Sequence, residues 1–450
     1  MNVFKFYDFK LRFLSCVKAF CLSMCFHMWR GCMNLRLGEL HPETVKYIVS
    51  VDPRKRASLG QFFTPKSLRN ELLKHVPKFH NPKVLDPACG TGEFLLSASE
   101  YFIDPDLHCW EVDPELAEIA KKVVPKAKVE NVDSLLTLFE ERFDVILSNP
   151  PYFEFKPSEE VRRRYEEILY GRVNIYALFI YLGVKLLKPN GYLAYVVSSS
   201  MNNGAYFKKL REFIVKNCDI TYLKRIDNPH IFSDPRYRVN HTFQLLVLKK
   251  TKNTGKYVFK YKEVLIFSEN HEYLKKVFNE ALTLKDLGYK VLTGRVVWNQ
   301  HKDKLTQNPG EGIPLIWAHN IKKGKLILNN NVKKPQYIIW PESKADKGPA
   351  IVVTRVVGHP KKASLKAALI PPNIVFVAEN HVNVIYPPPN ASLEELHEIV
   401  KQLNSKNINK IVRELIGNTQ ISKTELENLI PLTNIKSQQN RTHSLSPDTP

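Results

Sequence analysis

The sequence predicts an α/β protein, a doubly wound and mostly parallel sheet followed by a second, mixed α/β domain. Three observations lead there. Short apolar strands near 83, 107, 127 and 143 alternate with helices near 94 and 115, the pattern that builds parallel sheets with crossover helices. The 450 residues exceed what one core usually occupies, and 44% hydrophobic content is ample for two. Lys249 to Lys256, Lys-Lys-Thr-Lys-Asn-Thr-Gly-Lys, is polar and turn-rich and reads as the linker.

A helix is expected over 66–76, after the Thr64-Pro65 turn, where Thr64 can either cap the helix or touch a ligand. The strand Lys83-Val84-Leu85-Asp86 runs into Pro87-Ala88-Cys89-Gly90-Thr91-Gly92 and then the helical Phe94-Leu95-Leu96-Ser97-Ala98. Glycines there let backbone approach a ligand, and the helix start offers free N–H groups. The spacing fits neither the dinucleotide fingerprint nor the P-loop, so the ligand lacks a phosphate chain. The next strand ends at Glu111, where a carboxylate can hold ribose hydroxyls. A third closes at Asn131-Val132-Asp133, positioned for an adenine amino group. Any one such acid is more often a helix cap or solvated strand end. Four in order, Asp86, Glu111, Asp113 and Asp133, at strand carboxyl ends where ligands of open α/β sheets sit, are hard to dismiss as a site.

The fourth strand, Phe143 to Ser148, leads into Asn149-Pro150-Pro151-Tyr152. Two prolines fix φ and donate no N–H, so carbonyl oxygens are presented at a rigid tip. An amine conjugated to a ring is a poor nucleophile because its lone pair is delocalised. An Asn oxygen and a prolyl carbonyl accepting its hydrogens return density to nitrogen, and Tyr152 offers a stacking face. Beyond this point a charged helix over 158–169, a buried helix over 174–187, a strand over 191–198 and a last strand over 241–249 are expected.

These motifs resemble the S-adenosylmethionine-dependent N6-adenine DNA methyltransferases, and more narrowly the TaqI-type (gamma-class) group of restriction-modification systems. The resemblance runs from Leu59-Gly60-Gln61-Phe62-Phe63-Thr64-Pro65 through Asn149-Pro150-Pro151-Tyr152 to about Lys250. It returns at Thr293 to Lys302 and Thr419 to Leu432, similar to the target-recognition region of that group. It implies a Rossmann-like methyltransferase domain over 33–250 and a DNA target-recognition domain over 256–435. It further implies Asn149, Pro150 and Tyr152 as catalytic, with Thr64, Asp86, Ala88, Gly90, Glu111, Asp133 and Pro151 toward S-adenosylmethionine. The resemblance implies direct methyl transfer to adenine N6 of a flipped base, with no metal required. The family places a second aromatic opposite the target base; Phe243 is the candidate, and an alternative alignment puts Leu248 there. DNA contacts are expected among Arg295, Asn299, Gln300, Lys302, Thr354 and Arg355, because Arg, Asn and Gln read base edges and Lys neutralises phosphate.

Composition agrees with a polyanionic partner. Lys plus Arg number 66 against 45 Asp plus Glu, a net charge of +21, although charge alone suits RNA or an anionic membrane equally. Seven cysteines suggest no disulfide framework in a chain this long, so a reducing cytoplasm is the simpler expectation. Cys16, Cys21, Cys25 and Cys32 match no zinc pattern, and Arg12 and Lys18 interrupt any signal-peptide core. Residues 1–32 read as a non-native extension or disordered arm ahead of a start at Met33, and 436–450 as a disordered tail. The expected partners are double-stranded DNA, bound as a monomer, and a restriction endonuclease on a separate chain. Two rivals share the side-chain logic: RNA adenine N6-methyltransferases and protein-glutamine N5-methyltransferases. A DNA-binding protein with a dead methylase core is disfavoured by the intact Asn149 and Tyr152.

Overall fold

The computed structural model describes residues 37–226, 242–322, 324–328, 333–357, 363–415 and 420–435. The expectations for 1–32, Met33 and 436–450 lie outside these residues, as do His241 and Thr419. The chain divides into two compact units. The first ends at Ser198 and resumes over Glu212–Thr254; the second takes Ser199–Arg211 and everything from Gly255 onward.

The first unit is built on a seven-stranded sheet. Its strands are β1 (Lys83–Asp86), β2 (Asp106–Glu111), β3 (Lys128–Asn131), β4 (Phe143–Ser148), β5 (Leu187–Ser198), β6 (Asp219–Arg225) and β7 (Phe243–Lys249). The spatial order is β3-β2-β1-β4-β5-β7-β6. Pairing is parallel from β3 across to β5, and only β7 runs the other way, antiparallel to both β5 and β6. The centre is buried on both faces, as the unbroken apolar runs demand: Val84, Leu85, Val145, Ile146, Leu147 and Leu193 to Val197 have essentially no exposed surface. This is the Rossmann-like, mostly parallel architecture expected.

The helices of the unit include α1 (Pro42–Ser50), α2 (Lys66–Leu73), α3 (Glu93–Tyr101), α4 (Pro114–Val123), α5 (Glu159–Arg164) and α6 (Ile175–Leu186). Two differ from expectation. α2 stops at Leu73, short of 76. α5 stops at Arg164 rather than 169: Ser158 caps its start, and Tyr165, fully buried, leaves the helix to donate its hydroxyl to the Leu135 carbonyl. β5 begins four residues early, at Leu187, where it pairs with Phe143 before a register shift.

The second unit has its own core. It holds the hairpin β8 (Val258–Tyr261) and β9 (Val264–Phe267), helix α7 (His271–Asn279), and strands β10 (Lys290–Thr293), β11 (Ile313–Ile316), β12 (Ala350–Thr354), β13 (Ala367–Ile370), β14 (Val375–Ala378) and β15 (Val382–Tyr386). The antiparallel order is β10-β15-β12-β13, while β11 and β14 pair in parallel within a second sheet. Helices α8 (Leu393–Leu403), α9 (Lys406–Leu415) and α10 (Lys423–Leu429) follow. Their buried faces, with Leu396, Ile411 and Leu426, share one cluster with Phe259, Phe278 and Ile351.

Two cysteines of the first unit meet, a pairing the sequence did not signal. Cys89 and Cys109 form a disulfide with Cα atoms 5.5 Å apart. The parallel pairing causes it: Asp86 stands opposite Cys109, and the loop beyond Asp86 returns so that the Cys89 N–H donates to the Trp110 carbonyl at 3.1 Å. Cys218 is free and buried.

Candidate active site

Because β1 to β4 are parallel and in register, Asp86, Glu111, Asp133 and Asn149 collect at one edge of the sheet. The glycine loop is held from β2: Glu111 accepts from the Gly90 N–H at 2.7 Å through one oxygen and from the Asp113 N–H at 2.9 Å through the other. Each carboxylate oxygen keeps a lone pair for a further donor. Gly90 has φ +55, a backbone that glycine adopts at no steric cost. Asp86 is 1% exposed and accepts from the Ala88 N–H at 3.1 Å. Burial, reinforced by the Glu111 charge, pushes its carboxyl up to about 7. Asp113 and Asp133 both cap helical turns, Asp133 accepting from the Leu135 N–H at 3.0 Å. The bland reading of those two acids therefore holds alongside any ligand role. Thr64 is 3% exposed, and its hydroxyl oxygen is buried with no hydrogen-bond partner among the described residues.

The Asn149 to Tyr152 tip is oriented from outside its own strand. The Asn149 amide nitrogen donates to the Phe62 carbonyl at 2.7 Å, which fixes the side-chain oxygen on the other side. That oxygen accepts from the Tyr152 hydroxyl, which also lies 2.6 Å from the Val196 carbonyl on β5. Burial raises the Tyr152 pKa well above its ordinary value, so this hydroxyl stays a donor. Phe62 carries no signal of its own in the sequence. Gly60 explains its approach: with φ +67, a Cβ there would stand 2.7 Å from the Tyr152 nitrogen and 3.0 Å from Pro151. Only glycine lets this segment lie against the tip.

Around Tyr152, 8% exposed, three rings gather. Phe243 packs edge-on at 5.0 Å, Tyr176 at 5.8 Å and Phe62 at 6.3 Å, and Phe62 and Phe243 are 6.5 Å apart. Phe243 opens β7 opposite Ser198, whereas Leu248 pairs with Leu193 and Ile220 toward the other end. The geometry thus brings Phe243 and not Leu248 to the tip.

In the second unit, Asn299, Gln300 and Lys302 are exposed, with the Lys302 ammonium 5.5 Å from the Trp298 ring centre. Arg295 is already engaged, donating to Asp346 at 2.6 Å and to the Lys344 carbonyl at 2.7 Å. Arg355 is half-buried and donates to the Asn380 carbonyl at 3.3 Å. Thr354 is a correction: as the last residue of β12 it is 4% exposed, so it cannot read a base edge. No group of His, Cys, Asp and Glu suited to a metal occurs among the described residues, and none of their helices is long and apolar enough to cross a membrane.

The profile of the Eco57I restriction-modification methylase family matches residues 94–232. The type II methyltransferase M.BsuBI of Bacillus subtilis is 27% identical, with 86% of this chain and 91% of the relative covered. The modification methylase CviBIII of Paramecium bursaria Chlorella virus NC1A is 26% identical over 86% of this chain and 97% of its own length. Among solved structures, DrdV in complex with DNA aligns with TM-score 0.46 and 14% identity, covering 75% of this chain and 50% of that one. The methyltransferase subunit of a type I restriction-modification system from Streptococcus thermophilus aligns with TM-score 0.37 and 17% identity, covering 52% of this chain and 55% of that one. The chain is thus similar to restriction-modification methyltransferases, through a methylase profile over residues 94–232 and through relatives matched over nearly their whole length.

Proposed function

We propose that the chain methylates adenine N6 at one specific site in double-stranded DNA, with the target base flipped out of the helix. The observation that supports this best is Asn149, whose amide is clamped by the Phe62 carbonyl so that its oxygen faces the aromatic cluster. Such an oxygen, with the Pro150 carbonyl, suits an exocyclic amine that needs electron density. When bound, S-adenosylmethionine supplies an electrophilic methyl group. The chain's own residues position and solvate: Glu111 and Asp133 take polar cofactor groups at the ends of β2 and β3, Asp86, Ala88, Gly90 and Pro151 line the same edge, and the unpartnered Thr64 hydroxyl gains a partner. Flipping costs a few kcal/mol, offset by stacking on Tyr152 or Phe243 at about 1–3 kcal/mol per base. Asn299, Gln300 and Lys302 are the DNA contacts best exposed to act, with Arg355 secondary and Arg295 available only if it leaves Asp346. In this reading residues from Gly255 onward recognise DNA, a separate endonuclease is the biological partner, and the chain works as a monomer in the cytoplasm.

Single-molecule sequencing of DNA from cells expressing the chain is expected to show N6-methyladenine at one short motif. Unmodified DNA alongside methylated RNA or release factor would transfer the case to the RNA or glutamine methyltransferases.

The elevated Asp86 pKa gives a pH dependence with a definite sign. A cationic cofactor prefers the ionised carboxylate, so below about 7 binding must expel a proton and affinity falls with pH. The stability term runs the other way: the raised pKa contributes stability that is complete below the unfolded value near 3.8 and is lost as pH rises through about 7. Calorimetry across pH 5.5–8.5, roughly bracketing that pKa, is expected to show affinity increasing with pH, and Asp86→Asn to flatten the curve. An equal slope in wild type and variant would remove Asp86 from the cofactor site.

A further inference from the structure

We propose that Arg69 and Glu93 are positioning residues that bolt the amino-terminal helix α1 behind the cofactor site. The inference rests on the cofactor reading above but concerns residues that touch no reacting atom. The pair is buried: side-chain exposures are 1% for Arg69 and 6% for Glu93, with nitrogen and oxygen 2.8 Å apart. Burial lowers the Arg69 pKa, and the Glu93 charge beside it works in the opposite direction. Burying two charges costs free energy that a well-packed apolar pair would not incur, so the arrangement calls for a reason beyond stability.

That reason is what the two side chains hold. Glu93, the first residue of α3, accepts from the His41 N–H at 2.8 Å through its other oxygen, at the start of α1. Arg69, on α2, donates to the Glu39 carbonyl at 3.1 Å and to the Glu93 carbonyl. The Glu39 carboxylate accepts from the Ser67 N–H at 2.7 Å. Thr44 on α1 donates to Thr91 in the glycine loop at 2.8 Å, both side chains being buried. Thus α1 and the residues just before it are tied to the glycine loop, to α3 and to α2, with the Thr44–Thr91 and Arg69–Glu93 contacts buried. One turn on from Thr44, on the same buried face, α1 presents Tyr47, whose hydroxyl donates to Gln61 at 2.9 Å and whose ring meets Phe63 edge-on at 6.0 Å. Phe63 in turn lies beside Gly90, its ring 4.0 Å from where a Cβ would stand. The segment that α1 backs therefore carries Thr64 along one wall of the cofactor site. Phe62 has further anchors of its own, in the packing of Gly60 on Pro151 and Tyr152 and in its ring contacts with Tyr152 and Phe243. Loosening α1 should therefore weaken cofactor binding while leaving Asn149 oriented.

The test compares Arg69→Met, Arg69→Lys and the double variant Arg69→Met/Glu93→Leu with the full-length wild type. Thermal melting, amide hydrogen exchange of residues 39–50 without cofactor, calorimetric binding of S-adenosylmethionine, and kcat and KM with saturating DNA are measured. Breaking the pair leaves Glu93 as an uncompensated buried charge, so Arg69→Met is expected to melt lower. The double variant recovers the melting temperature because no lone charge remains, yet it cannot restore the acceptor for His41. Its cofactor KM and dissociation constant are expected to stay raised roughly tenfold, the cost of one lost buried charged acceptor, with kcat changed less than about threefold and exchange over 39–50 accelerated. Arg69→Lys is expected to fall between. If cofactor affinity recovers together with melting temperature in the double variant, the pair is merely structural and the proposal fails. If exchange over 39–50 is unchanged in every variant, the bolt itself is refuted. Wild-type chain that binds no S-adenosylmethionine would overturn the cofactor reading instead, a separate outcome because the exchange measurement uses none.

Discussion

Asn149→Ala is expected to lower methyl transfer by on the order of 10²–10³-fold, the loss typical when a group that meets developing charge is removed, with cofactor affinity changed less than about twofold. The geometry explains why the two effects separate. The side chain hydrogen-bonds to the Phe62 carbonyl and the Tyr152 hydroxyl, whereas the glycine loop is held by Glu111. Truncation removes the acceptor for the target amine, while the Tyr152 hydroxyl retains the Val196 carbonyl as a partner. The ring therefore keeps its place, and folding is little affected. Asn149→Asp sharpens the measurement. It keeps an oxygen toward Tyr152 but sets a carboxylate oxygen against the Phe62 carbonyl, where only a donor is tolerated. That variant is expected to lose activity as well, with an added loss of stability. Near-wild-type turnover of Asn149→Ala on saturating DNA would reject the assignment, and a parallel loss of cofactor affinity would place the residue in the other pocket.

What was legible in the sequence follows from how the information is stored. Strands β1 to β4 could be read because each is a short apolar run ending in a glycine, acid or proline signal, and a parallel sheet collects those ends without further instruction. The site residues at strand ends came with them. Phe62 could not be read, because its role belongs to a backbone carbonyl brought to Asn149 by a close approach that depends on Gly60. Nor could the Cys89–Cys109 bond, which depends on register between neighbouring strands. Arg69 stood in an ordinary amphipathic helix; nothing in one sequence distinguishes a buried, paired arginine from a solvated one. Thr354 shows the same limit in the second unit, where residue type suggested DNA contact but burial says otherwise, and the ion pair of Arg295 with Asp346 was equally unreadable. The grouping of Ser199–Arg211 with the second unit was equally hidden. A short polar stretch inside a catalytic segment gives no cue that its anchors lie beyond residue 254.

Those anchors bear on the second large effect. Truncation after Lys250 is expected to leave measurable cofactor binding but to abolish sequence-selective DNA binding, because the seven-stranded sheet is complete at Lys249 while the exposed Asn299, Gln300 and Lys302 are removed. The cut also strands Ser199–Arg211. Met201 is fully buried, the Asn203 amide donates to the Leu415 carbonyl and to Glu425 at 3.0 Å, and Arg211 donates to the Leu265 carbonyl at 2.6 Å. The Leu415, Glu425 and Leu265 partners vanish in the fragment; Arg211 keeps the Met201 and Gly204 carbonyls, but the Asn203 amide loses its acceptors, and apolar surface opened near Met201 is expected to favour aggregation. Replacing Met201 with Ser in the fragment removes the apolar liability, and comparison is confined to monomeric, folded material. The full chain's DNA affinity is expected to fall steeply between about 50 and 200 mM salt as lysines and arginines displace counterions, whereas the fragment's residual, non-selective binding has a shallower slope because fewer phosphates are neutralised. A folded fragment that still methylates a single DNA site would sink the assignment of recognition to residues beyond Gly255. The same fragment failing to bind S-adenosylmethionine would show instead that the cofactor site needs the second unit, and the two results are separable because one reads DNA and the other the cofactor alone.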